Sequence, residues 1–106
     1  MTESIHSPEY RHVLAKLIDM RTEAGMTQRD LAKVLERENS FVWRIETGKR
    51  RLDVVEFYWV CKALGKNAAV VYRGIIQEIT AMTSPVSVSQ KKVKSGVSRK
   101  NLRRKQ

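Results

Sequence analysis

The chain has 106 residues, 42% of them hydrophobic, and 21 lysines and arginines against 11 acids give a net charge of +10. That length allows one small domain and little room for a second core. No apolar run approaches the roughly 18 residues that spanning a bilayer requires, MTESIHSPEY has neither the basic region nor the apolar segment of a secretion signal, and the single Cys61 cannot form an internal disulfide.

A reducing cytoplasm is therefore the expected setting. The charge is placed unevenly. Residues 1–82 carry 13 Lys+Arg and 11 Asp+Glu, a balance of +2, whereas residues 83–106 carry eight Lys+Arg and no acid. A polycation behind a nearly neutral body points to nucleic acid, an anionic membrane or an acidic protein as partner, without choosing among them.

Residues 1–8 are expected to form a flexible arm. From 9 to 82 the apolar spacing is helical, with no useful alternating strand pattern. A first helix follows Pro8, a good first-turn residue, with Val13, Leu14, Leu17, Ile18 and Arg21 on one side, and Gly25 stops it. In Met26-Thr27-Gln28-Arg29-Asp30-Leu31, Thr27 caps a second helix, Asp30 favours its amino end, and Met26 and Leu31 form an apolar staple; this helix ends near Leu35. A third spans about 39 to 46 and closes at Gly48. Leu52-Asp53-Val54-Val55-Glu56-Phe57 repeats the start signal for a fourth, which runs to Leu64 and Gly65. A fifth extends from about Asn67 to Met82, with Gly74 in its middle costing ~1 kcal/mol against alanine. Beyond Ser84-Pro85 no pattern can bury a face, so residues 83–106 are expected to be a basic, disordered tail; a short strand across Val86 and Val88 is the alternative.

Two short helices joined by a tight turn, at about 27–46, make a helix-turn-helix candidate. On a helical wheel Val42 and Ile45 point inward. Ser40, Trp43, Arg44 and Thr47 then point away from the core, with Asn39 at one flank and Phe41 at the other. The run Phe41-Val42-Trp43 is thus not a single apolar stripe.

TQRDLAKVLERENSFVWRIETGKRR resembles the Cro and lambda-repressor-like (Xre) helix-turn-helix regulators, and the resemblance extends over about residues 11 to 72. Its carriers are Leu31, Ala32, Leu35, Val42 and Ile45, followed by Glu46-x-Gly48-Lys49. Two departures stand in the turn: Glu36 where glycine is usual, and Arg37 where an apolar residue is. If the turn keeps its usual left-handed geometry, Glu36 bears ~1–2 kcal/mol of strain; otherwise the turn is distorted.

The resemblance implies an all-α, five-helix lambda-repressor-like domain that binds double-stranded DNA, and a structural pair between Arg21 and Glu46. It implies that Gln28 meets a phosphate and that Asn39, Ser40, Trp43 and Arg44 look into the major groove, with Arg37 and Thr47 beside them. Arg44 would fork onto a guanine and Asn39 onto an adenine. Lys49, Arg50 and Arg51 would lie along the backbone, positioning the protein rather than reading sequence. Trp43 either meets a thymine methyl or folds over Phe41. On the fourth helix Val55 and Trp59 face outward, as a dimer anchor or as a surface covered by the fifth helix.

The expected function is a cytoplasmic, nucleoid-associated regulator of bacterial or phage origin: a homodimeric repressor that reads a pseudo-palindrome and blocks polymerase. An Xre-type antitoxin with a toxin partner, or a phage or restriction-modification control protein, is the alternative. His6 and His12 lack metal-spaced partners. No paired carboxylates, Cys/His pair or glycine-rich phosphate loop can be assembled, so no catalysis, metal or cofactor is expected.

Overall fold

Short-range capping sets where each helix begins. The Ser7 hydroxyl accepts the Tyr10 N–H at 3.0 Å and Pro8 fills the first turn. Thr27 and Asp30 exchange side-chain-to-backbone bonds of 3.0 and 2.9 Å, as do Asp53 and Glu56 at 2.8 and 3.0 Å. Asn67 accepts the Val70 N–H at 3.0 Å. Each cap is worth about 1 kcal/mol. The resulting computed structural model describes residues 4–83. Over them it is all-helical: α1 (Pro8–Glu23), α2 (Gln28–Val34), α3 (Phe41–Glu46), α4 (Val54–Ala63) and α5 (Ala68–Thr83). None of these helices is long and apolar enough to cross a membrane.

The helix ends share one device. After α1, α2, α3 and α4 the chain places a residue in the left-handed region, and the next N–H returns to a carbonyl five residues back. At three ends that residue is a glycine; after α2 it is Glu36, at φ 58°. The turn keeps its shape all the same, with Arg37 N–H on Ala32 O at 2.9 Å and Glu36 N–H on Lys33 O at 3.0 Å. The strain therefore falls on Glu36 rather than on the geometry of the motif.

The core draws on every helix: Leu14, Leu17 and Met20 of α1, Leu31 and Ala32 of α2, Phe41, Val42 and Ile45 of α3, Phe57, Val60 and Cys61 of α4, then Leu64 and Ile75. The small side chain of Ala32, wholly buried, lets α2 come close to its neighbours α3 and α4, while α1 packs on α3. The Tyr10 hydroxyl accepts the Leu52 N–H at 3.0 Å, tying α1 to the loop before α4. Burial pushes the Cys61 thiol up to about 11, so this sulfur is an inert core atom at neutral pH. Residues Met1–Ile76 form one compact unit; a second begins at Gln77, and its described residues, 77–83, are the last turns of α5.

Three sequence expectations need correction. Residues 4–6, assigned to a flexible arm, form a single 3-10 turn, and Arg11 Nη1 donates to the His6 carbonyl at 3.0 Å. The third helix begins at Phe41, two residues late, because Phe41 N–H closes a tight turn onto Glu38 O at 3.0 Å. Phe41 itself is core rather than flank, since that turn swings its ring inward. The basic tail and the strand considered at Val86 and Val88 lie outside the described residues.

Candidate nucleic-acid interface

The six residues of α3 divide sharply. Phe41, Val42 and Ile45 are buried, while Trp43 is 46% exposed. Ser40, Trp43, Arg44 and Thr47 recur at three- and four-residue intervals, so they form one stripe along the helix. Asn39 and Ser40 are exposed in the turn before α3, and Ser40 stands at the cap position without a side-chain capping bond. Its hydroxyl is left to face solvent. Thr47 donates its hydroxyl to Trp43 O at 2.8 Å, closing the last turn. Trp43 stands outward instead of folding into the core beside Phe41.

Arg44 is not a free cation. Its Nη2 lies 2.9 Å from Glu38 Oε1, and its Nε is buried with no hydrogen-bond partner among the described residues. The guanidinium is thus held at one nitrogen and keeps donors in reserve.

Two carboxylates anchor α3 to its surroundings. Glu46 receives Arg21 Nε at 2.6 Å and Nη2 at 3.1 Å, and Gln28 Nε2 at 2.8 Å. Arg21 also donates to Met26 O at 2.8 Å. The carboxylate thereby joins the end of α1, the start of α2 and the end of α3. Gln28, expected at a phosphate, has its amide donor turned to this cluster.

Glu56 is the counterpart at the start of α4. Arg50 forks onto it at 2.9 and 2.8 Å, and Arg37 Nη2 lies 3.9 Å away. The Phe41 ring has the Arg37 and Arg50 guanidiniums 4.9 and 5.0 Å from its centre, and Arg37 also lies 5.8 Å from the Trp59 ring. The hydrogen bond from Arg50 holds the Glu56 carboxyl below its ordinary value and raises Arg50 in turn. In the basic run Lys49 and Arg51 are exposed, whereas Arg50 is held by Glu56 of α4, which Arg37 also approaches from the preceding turn. Sequence reasoning missed this cluster. Its partners lie across a loop with no periodicity, so no local signal pairs them.

Val55 and Trp59 are exposed on α4 along with Val54 and Tyr58, and α5 does not cover them. Val70, Tyr72 and Ile76 of α5 are exposed as well.

Comparison with known proteins fits this geometry. The family described as Helix-turn-helix domain matches residues 14–70. An XRE-family like protein from Pseudomonas syringae pv. tomato str. DC3000 is 38% identical, with a TM-score of 0.66 over 76% of this chain and 93% of its own. A point variant of the restriction-modification controller protein C.Esp1396I is 30% identical, with a TM-score of 0.61 over 69% and 92% of the two chains. The clp gene regulator ClgR from C. glutamicum, at 23% identity and a TM-score of 0.59 over 70% and 96%, shares the fold. No curated protein matches the chain. With its helix-turn-helix over α2 and α3, an outward stripe on α3 and these similarities, the chain belongs to the Xre-type family of helix-turn-helix, DNA-binding transcription regulators.

Proposed function

We propose that the protein is a dimeric repressor that reads a pseudo-palindromic operator through α3 in the major groove. The carrying observation is the division of α3 into a buried apolar side and an exposed side bearing Trp43 and Arg44. Arg44 is assigned to a guanine edge and Asn39 to an adenine, each worth ~1–3 kcal/mol of discrimination. Ser40 and Thr47 flank them, and Trp43 supplies apolar contact. Lys49 and Arg51 are assigned to the phosphate backbone. Arg37, Arg50 and Gln28 act behind this surface, on Glu56 and Glu46, rather than on DNA.

The dimer reading rests on the uncovered apolar residues Val54, Val55, Tyr58 and Trp59 of α4, since aromatic side chains concentrated on one helix are what association surfaces use. A two-fold pair would set its recognition helices about 34 Å apart. Repression follows from occupying the duplex that polymerase needs. The cytoplasm is the expected location, and catalysis is not part of this reading.

A second reading, as a restriction-modification controller, is favoured by the similarity to C.Esp1396I. An antitoxin role, with a protein partner, is favoured by the open groove between Val34, Leu35, Trp59 and Ala63.

The test is selection of duplex fragments by the purified protein, followed by Arg44→Ala. That variant is expected to lose tenfold or more of its affinity for the selected site, about 1.4 kcal/mol or more, with its helical circular dichroism intact. Unchanged affinity would remove Arg44 from the interface.

A further inference from the structure

We infer that Arg11 is a further DNA-contacting residue, which closes with Lys49 on one backbone phosphate beside the last turn of α3. The inference rests on the DNA-binding reading above and extends the contact surface to α1. A cleft of about 480 Å³ opens between α1, the 3-10 turn at Ser4–His6 and the turn after α3. Ile5, Leu14 and Ile18 line its apolar part, while Arg11, Thr47 and Lys49, all exposed, supply its polar edge. Helix and turn meet closely at the floor, where a Cβ placed on Gly48 would come 3.9 Å from Leu14 Cδ1.

Charge selects an anion as the occupant. The one carboxylate lining the cleft, Glu46, is already held by Arg21 and Gln28. Thr47 also ends the outward stripe of α3, so the anion within reach is the strand that this stripe faces. The available donors then decide what can hold it. The backbone N–H groups of Thr47, Gly48, Lys49 and Arg50 are all spent on closing α3, onto the carbonyls of Trp43, Ile45 and Arg44, and the Thr47 hydroxyl donates to Trp43 O. No backbone nest is left at this turn, so a phosphate must be taken by side-chain cations. Arg11 carries five N–H donors and gives one to the His6 carbonyl at 3.0 Å, which ties its guanidinium to the 3-10 turn. Lys49 comes from the opposite wall. A fork from α1 and a point charge from the turn after α3 seat both elements on one strand, which positions the recognition helix without reading sequence.

The experiment measures binding of the full chain to a selected site and to an unrelated duplex against salt, using wild type, Arg11→Ala, Lys49→Ala and Lys66→Ala. Lys66 is exposed on the turn between α4 and α5, outside the cleft, so its variant controls for simple loss of positive charge. Arg11→Ala is expected to weaken both duplexes alike, about three- to tenfold, and to lower the salt slope by about one, with its melting temperature unchanged. Lys66→Ala is expected to leave the slope as it is. Single methylphosphonates, placed one at a time along each strand of the selected site, then locate the phosphate. One position is expected to weaken the wild type and to weaken Arg11→Ala and Lys49→Ala less. An unchanged slope in Arg11→Ala, an equal fall in Lys66→Ala, or no position at which Arg11→Ala differs from wild type would overturn the assignment. A wild-type protein that binds no duplex would instead sink the DNA-binding reading beneath it.

Discussion

Glu46 and Glu56 do similar work at the two edges of the helix-turn-helix, in different company. Their side chains are 6% and 7% exposed, and each is forked by one arginine. Arg21, the partner of Glu46, is itself 12% exposed and bonded onward to Met26 O. Arg50, the partner of Glu56, is 39% exposed and reaches only six residues ahead. The first pair is enclosed and ties segments distant in sequence; the second is half open and fastens one loop to the helix that follows it. Arg50 looks like a cation available to DNA when read from sequence alone, whereas the resemblance already implied the pairing of Arg21 with Glu46; both arginines are committed to a carboxylate. A basic residue near a duplex is therefore not evidence of a phosphate contact until its acidic neighbours are known.

The largest effect should come from breaking the enclosed pair. Glu46→Ala leaves Arg21 without its carboxylate in a site water hardly reaches, and should cost about 3–5 kcal/mol. Glu56→Ala lets Arg50 turn to solvent and removes one arm of a capping box, for about 1–2 kcal/mol. Urea unfolding of both variants measures the contrast; equal losses, or the reverse order, would break it.

A smaller effect separates structural bases from those assigned to DNA within one run. Arg50→Ala should lower stability by about 1–3 kcal/mol, since it leaves the buried Glu56 short of a partner. Lys49→Ala should leave stability unchanged and reduce the salt slope of DNA binding by about one. Thermal melts alongside salt-dependent binding distinguish the two, and a drop in melting temperature for Lys49→Ala would show that the division is misplaced.

The mildest test is acid. Glu56 and Asp30 are held below their ordinary values of 4.5 and 3.8, Glu56 chiefly by Arg50 and Asp30 chiefly by its bonds with Thr27. The unfolded chain thus binds more protons in that range. Their contribution to stability is complete above pH 4.5 and is lost as pH falls through the lower native values. Melting temperature should fall on acidification, and Glu56→Gln should flatten part of that slope. An unaltered slope in this variant would mean that other carboxylates govern the acid response.

Particular residues show how far the sequence could be read. Thr27 with Asp30 and Asp53 with Glu56 announced two helix starts, and Gly25, Gly48 and Gly65 announced three ends, because caps act within four residues. Phe41 was misplaced because a two-residue turn moved the helix start, and with it the face of the wheel on which that ring falls. Glu36 showed the limit in another form: its residue type disfavours φ 58°, yet the helices packed on either side hold the turn there.

By itself the sequence determined the helices, their order and the inward placement of Val42 and Ile45 opposite the outward stripe of α3, though not that of Phe41, since these follow from capping chemistry and from a repeat of 3.6 residues. Tertiary structure alone decided which charges remain for a partner. Arg50 went to Glu56, Gln28 to Glu46 and Arg44 to Glu38. Those outcomes depend on distances between segments that no local pattern encodes, and a charge pair forms wherever packing brings opposite groups within about 4 Å.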